Sequence, residues 1–167
     1  MERFGAALAI YPGTFDPLTN GHVSLIDRAL NIFGTVVVAV AADTPKKPMF
    51  TLDERVDMAK AALADYGSAI VVEAFHGLLI EYVRKRGAGV ILRGMRAVAD
   101  FEYEFQMALM NRRLARNIQT IFLMTDYRWL YIGSTIIKEV VRAGGDVRGL
   151  VPDNVSQCLR RACGFGK

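Results

Sequence analysis

Cysteine is scarce. Cys158 and Cys163 are the only two in 167 residues, and their spacing suits neither a zinc knuckle nor a disulfide framework. The expectation is free thiols in a reducing compartment. Long hydrophobic runs are also missing. The longest unbroken apolar stretch, Val36–Ala42, falls far short of the roughly 18 residues of a membrane span. Met1–Tyr11 holds one Arg and a few apolar residues before Pro12-Gly13, with no small-residue cleavage pattern, which makes a poor signal peptide. A cytoplasmic protein with no membrane partner is expected. Charge of one sign is sparse too: 21 basic against 17 acidic residues give +4 and a pI near 9.2. No charged run exceeds Arg84-Lys85-Arg86. That balance suits an anionic ligand, and does not by itself separate RNA from a phosphorylated small molecule. The scattered charges and the lack of an aromatic-basic platform weigh against nucleic acid. There is no low-complexity tract, linker or internal repeat.

What is present is the making of one core. With 52% hydrophobic and 23% charged residues, disorder is excluded. The length fits one domain, residues 1–167.

Short β-branched runs alternate with longer helical patterns. Strands are expected at Leu8–Tyr11, Thr35–Ala41, Ala69–Ala74, Val90–Leu92 and Thr120–Met124. Several are continuously apolar, as in strands buried on both faces. Helices are expected at His22–Phe33, Leu52–Asp65, Leu78–Arg86 and Val98–Arg116, then near Ser134–Ala143 and Asp153–Ala162. Thr51 followed by Glu54 reads as a capping box. This rhythm predicts an α/β fold: one doubly wound, Rossmann-like parallel sheet of five strands, order 3-2-1-4-5, with helices on both faces. Ligands of such sheets bind beyond the carboxyl ends of the strands, where the strand order reverses. That crevice lies between the first and fourth strands, so the chemistry should sit in Pro12–His22 and Arg93–Glu104.

The first of these segments, Gly13-Thr14-Phe15-Asp16-Pro17-Leu18-Thr19-Asn20-Gly21-His22, leaves a strand and enters a helix. Its glycines allow close backbone approach, and the helix start offers N–H groups to an anion. Thr14 adds a hydroxyl, and His22, cationic or donating, can reach a phosphate oxygen as charge builds there. It is neither a Walker A loop nor a G-x-G-x-x-G fingerprint. The second segment opens with Arg93-Gly94-Met95-Arg96, two guanidiniums suited to clamping phosphates. A third element, Ile132-Gly133-Ser134-Thr135, supplies hydroxyls and N–H groups at another helix start. Lys46 and Lys47 follow the second strand on a proline-flanked loop. His76 reads as a loop histidine with no partner set.

Tyr11–Pro17 with Thr19-Asn20-Gly21-His22 resembles the T/H-x-G-H signature of the nucleotidyltransferase superfamily. Lys46-Lys47-Pro48-Met49-Phe50, the Arg93–Glu104 block and Ile132–Thr135 are similar to one branch of it, the phosphopantetheine adenylyltransferases. The resemblance runs from about Ala9 to Val155. It implies reversible adenylyl transfer from ATP to 4′-phosphopantetheine, giving dephospho-coenzyme A and pyrophosphate, with Mg²⁺ carried on the ATP phosphates. It also implies coenzyme A as a product-like inhibitor, and a homohexamer. Thr14, Phe15, His22, Gly94, Met95, Arg96 and Glu104 match nucleotide positions, as does the stretch Trp129, Leu130, Tyr131, Ile132, Gly133, Ser134, Thr135. Thr14, Lys46, Leu79 and Arg93 match acceptor positions, and His22, Lys46 and Arg96 are the expected catalytic groups. The family often has a hydroxyl residue where this chain has Gly133. The nearest rival is another small-molecule nucleotidyltransferase, of the nicotinamide mononucleotide or cytidylyl type. A more distant one is a non-catalytic nucleotide- or RNA-binding domain.

The expected helix Val98–Arg116 carries two apolar stripes, Phe101/Phe105/Ala108/Leu109 and Tyr103/Met107/Met110/Leu114. A surface helix needs one. The second is expected to cover a substrate arm or meet another subunit.

Overall fold

The computed structural model describes residues 8–45, 47–96 and 98–165, without the side chains of 98–100. Its five strands are β1 (Leu8–Gly13), β2 (Thr35–Ala41), β3 (Ile70–Phe75), β4 (Val90–Met95) and β5 (Gln119–Met124). They form one parallel sheet in the order β3-β2-β1-β4-β5, which is the expected order. Between and after them run α1 (Asn20–Leu30), α2 (Leu52–Ala62), α3 (Leu79–Lys85), α4 (Val98–Leu114), α5 (Ser134–Arg142) and α6 (Asp153–Ala162).

The alternation of strand side chains explains the two-sided cover. Val36, Val38 and Val40 of β2 pack with Leu25, Ile26 and Ala29 of α1 and Val56 of α2. Val37 and Ala39 point the other way and pack with Ile80 and Val83 of α3 and with Ile118. A third cluster joins α5 and α6 through Ile137, Val141, Val155 and Leu159, with Phe50 and Met58. Each fully buried aliphatic side chain of this kind contributes about 1.5–3 kcal/mol. The Thr51–Glu54 capping box forms, Thr51 N–H donating to Glu54 Oε2 at 2.8 Å.

Two boundaries differ in a way that matters. β1 runs on through Pro12 and Gly13, and β4 through Arg93, Gly94 and Met95, so residues expected in loops are strand residues. Their outer neighbours carry them: Gly13 pairs with Val40 of β2, and Arg93–Met95 pair with Phe122–Met124 of β5. β1 and β4 pair only at Ala9–Val90 and Ile10–Ile91. Pro12, which has no N–H to give, therefore falls where β1 has already parted from β4, and interrupts no ladder. The parting of these two strands opens the site. The helix expected to reach Asp65 stops at Ala62 and passes into a 3₁₀ segment, Ala64–Ala69, broken at Gly67 with φ +55°.

Candidate active site

A cavity of about 330 Å³ lies at the carboxyl ends of β1 and β4, and a second of about 270 Å³ lies beside it. Both are lined by Pro12, Gly13, Arg93 and Glu104, so these four residues form the partition between them. Arg93 is fixed there. Its Nε donates to Glu104 Oε2 at 2.7 Å, its Nη2 donates to Glu104 Oε1, and its Nη1 reaches Pro12 O at 3.1 Å across the gap between β1 and β4. Burial works against the Arg93 charge, but Glu104 outweighs it and holds the guanidinium above its ordinary pKa.

His22 lines the first cavity from the first turn of α1. The backbone N–H of Thr19, the helix N-cap, donates to His22 Nδ1 at 3.0 Å, and Thr19 Oγ1 lies 2.9 Å from the same nitrogen. Histidine here takes the place that glutamate holds in a capping box. Because a backbone N–H can only donate, Nδ1 is an acceptor, and the ring proton belongs on Nε2. Burial, then the positive charges of Arg96 and Arg93, lower the imidazole pKa to about 4. His22 is thus a neutral Nε2–H donor at neutral pH, the second of the two roles expected of it, cationic or donating.

Phe15, buried and left-handed at φ +47°, sets its ring edge-on against His22 at 5.2 Å and Tyr11 at 5.4 Å. A non-glycine residue held at positive φ stores about 1–3 kcal/mol, and such strain clusters at functional sites. Burial pushes the Tyr11 phenol up, so it stays an O–H group in the cavity wall.

Arg96 lines the first cavity and donates from Nη1 to Ile132 O at 3.1 Å. A Cβ on Gly133 would stand 2.6 Å from that nitrogen. The missing hydroxyl residue at 133 thus leaves room for the guanidinium. Ser134 opens α5 and ties it to the first loop, its Oγ donating to Pro17 O at 2.8 Å.

Of the expected nucleotide residues, the first cavity brings together Phe15, His22, Gly94, Arg96, Glu104 and Ile132–Thr135. Thr14 and Leu79 line the second cavity with Asp43, Tyr103, Met107 and Asn111. Met95, Trp129, Leu130 and Tyr131 line neither. Trp129 packs against the α5–α6 cluster, with the Arg128 guanidinium 5.8 Å from its ring centre. Lys46 lies outside the described residues. Sequence reasoning passed over Tyr11 and Asn111. Tyr11 reads as an ordinary strand aromatic, whereas Asn111 had a signal: a polar residue one turn after Met107 on an apolar stripe, here only 7% exposed. Among the described residues, no group of His, Cys, Asp or Glu is arranged to hold a metal ion, and no helix is long and apolar enough to cross a membrane.

A family model described as cytidylyltransferase-like matches residues 10–140. The fold and site therefore define a nucleotidyltransferase. A solved structure from Vibrio parahaemolyticus, described as a nicotinate-nucleotide adenylyltransferase, superposes with a TM-score of 0.67 at 19% identity. It covers 92% of this chain and 98% of that one, and shows the shared fold. The sequence relatives are more particular. A phosphopantetheine adenylyltransferase of Oleidesulfovibrio alaskensis is 67% identical over 95% of this chain and 92% of its own. One of Nitratidesulfovibrio vulgaris is 65% identical over 99% and 88%. The chain belongs to the phosphopantetheine adenylyltransferase family.

Proposed function

We infer that the two cavities carry out the transfer of adenylyl from ATP to 4′-phosphopantetheine, yielding dephospho-coenzyme A and pyrophosphate for coenzyme A synthesis. One observation carries the reading. Arg93 stands in the partition common to both cavities, beside the neutral donor His22 and within a wall that also holds Arg96. A transfer between two phosphorylated substrates needs a cation where they meet.

The nucleotide takes the first cavity, between the arginines at the carboxyl end of β4, Arg93 in it and Arg96 just past it, and the start of α5. The acceptor's phosphate meets Arg93 from the second cavity, and its arm lies along Leu79 and α4. Its phosphate has a second pKa of about 6 and is largely dianionic at neutral pH. It attacks the α-phosphorus without a general base, and pyrophosphate leaves in line. The work left to the protein is to neutralise charge and align the reactants. Arg93 and Arg96 supply charge, and His22 Nε2–H donates to the oxygen that gains charge in the transition state. Lys46 is assigned to the acceptor phosphate on its motif alone. ATP enters as its magnesium complex, the ion offsetting phosphate charge. The chain works as one domain, in the cytoplasm.

Both stripes of α4 lie exposed apart from half-buried Ala108, with Leu109 at 53% on one and Tyr103 at 64% on the other. Phe101 and Phe105 stack on each other at 5.5 Å. We read the part of this face that does not border the second cavity as the contact between subunits of a homohexamer. Sedimentation at micromolar concentration tests it, and an 18.5 kDa species would overturn it.

The test of function is magnesium-dependent pyrophosphate release from ATP with 4′-phosphopantetheine, with nicotinamide mononucleotide and with no acceptor. Release only with 4′-phosphopantetheine is expected. Release with the mononucleotide would reassign the acceptor, and silence in all arms would overturn the reading.

A further inference from the structure

Asp16 is a buried carboxylate that the chemistry above does not use. It is 4% exposed, and two segments converge on it. The backbone N–H of Met49 donates to both its oxygens, at 3.0 and 2.9 Å, and the N–H of Phe50 donates to Oδ1 at 3.0 Å. Lys138 of α5 places Nζ 2.5 Å from Oδ2. Burial alone would raise the carboxyl pKa, but these donors hold it below the ordinary range, so the anion is fully compensated.

The partners of Asp16 belong to opposite sides of the site. Met49 and Phe50 end the loop that leaves β2, and Asp43 of that loop lines the second cavity. Lys138 lies on the helix whose first residues, Ser134 and Thr135, line the first. Asp16 itself directly follows Phe15, whose ring presses on His22. On the other side of Phe15, buried Arg55 donates to Thr14 O at 2.7 Å and Ala41 O at 2.9 Å. The left-handed Phe15 is thereby held between two charged anchors.

We propose that Asp16 is a positioning residue that joins the β2 loop, on the acceptor side, to α5, on the nucleotide side, and so sets the two substrates in line. Either substrate alone binds one wall. The transfer needs both walls in register, because misplacement of about 1 Å costs on the order of 10² in rate. The effect should therefore fall on kcat and spare the binding of ATP alone.

This assignment rests on the adenylyl transfer proposed above, so the wild-type enzyme is assayed first. No pyrophosphate release with 4′-phosphopantetheine would defeat that reading of function. Given wild-type turnover, three variants are compared, with kcat normalised to ATP-binding sites counted by calorimetry. Asp16→Ala is expected to lower kcat per competent site at least 30-fold, with the Kd for ATP within threefold. Asp16→Asn keeps an oxygen for Met49 and Phe50 but turns an NH2 donor toward Lys138, so it cuts the link to α5 alone and should lower kcat per site about as much as Lys138→Met. Lys138→Met cuts only the link to α5 and should lower kcat per site about tenfold. A merely structural role would reduce the number of competent sites and leave kcat per site unchanged, and that outcome overturns the proposal. If Asp16→Ala does not fold, unchanged kcat per site in Lys138→Met overturns it equally.

Discussion

The backbone N–H of Thr19 donates to Nδ1 of His22, so the helix cap and the imidazole tautomer are one structure. The ring is left as a neutral Nε2–H donor. Its pKa of about 4 means that His22 does not titrate between pH 6 and 9. The kcat/KM profile is expected to rise once, near pH 6, as the acceptor phosphate loses its second proton. His22→Ala should lower kcat by about 10²–10³, the usual cost of one lost donor to a developing charge, with the shape of the profile unchanged. If the inflection moves with the mutation, the neutral-donor assignment is wrong.

The same shift has a consequence for stability. The folded pKa lies below the unfolded value of about 6.5, so the unfolded chain binds more protons between the two. The contribution of a neutral His22 is complete above pH 6.5 and is lost as pH falls toward 4. Urea unfolding of wild type and His22→Gln at pH 7 and pH 4.5 should show the larger acid loss in the wild type. Equal losses would show that His22 is not held neutral by the fold.

Glu104 spends both oxygens on Arg93. If its task is to aim that guanidinium, Glu104→Gln should raise KM for 4′-phosphopantetheine at least fivefold with little change for ATP. A fivefold change corresponds to about 1 kcal/mol, less than the roughly 1.5–3 kcal/mol of a hydrogen bond to a charged group, because the amide oxygen keeps one of the two bonds. Were Glu104 chiefly an unwelcome negative charge beside an anion, the same variant would lower KM. A rise confined to ATP would move Glu104 to the nucleotide.

How far the sequence carries depends on whether a feature is local. β2 was legible from Thr35–Ala41 because a β-branched run buried on both faces reads the same in any context. The crevice was legible as a place, since strand order decides it. Its interior was not. That Pro12 stays in β1 depends on where β4 parts from it, and the Arg93–Glu104 pair joins a strand to a helix whose approach no local pattern encodes. The T-x-G-H motif announced phosphate chemistry, but the charge on His22 was hidden, because it is set by burial and by Arg96 and Arg93, brought in at the end of β4. Trp129, placed among the nucleotide positions by resemblance, packs partly buried on α5 and α6, a contact made by the tertiary fold.

Gly94 illustrates the same limit, since its motif position points to nucleotide and its surroundings point to packing. A Cβ there would stand 2.5 Å from Leu25 Cδ1, and Leu25 is 1% exposed with no room to turn away. Gly94→Ala should cost about 1–3 kcal/mol by overpacking, seen as a Tm drop of about 2–4 °C per kcal/mol. An unchanged Tm would mean that α1 shifts freely over β4.

Gly133 presents the opposite case. A Cβ at Gly133 meets only the tip of Arg96, 2.6 Å away, and Arg96 is exposed and long enough to swing aside. Gly133→Ser should therefore leave stability within about 0.5 kcal/mol while breaking the Arg96 bond to Ile132 O. The expected change is a two- to tenfold rise in KM for ATP, in keeping with about 0.5–1.5 kcal/mol for one hydrogen bond. If the glycine acts through Arg96, the cycle of Gly133→Ser, Arg96→Ala and the double variant will be non-additive. The serine will then cost nothing further once the guanidinium is gone. Additive losses would show that the backbone at 133 meets the nucleotide on its own account, and that its pairing with Arg96 is incidental to binding.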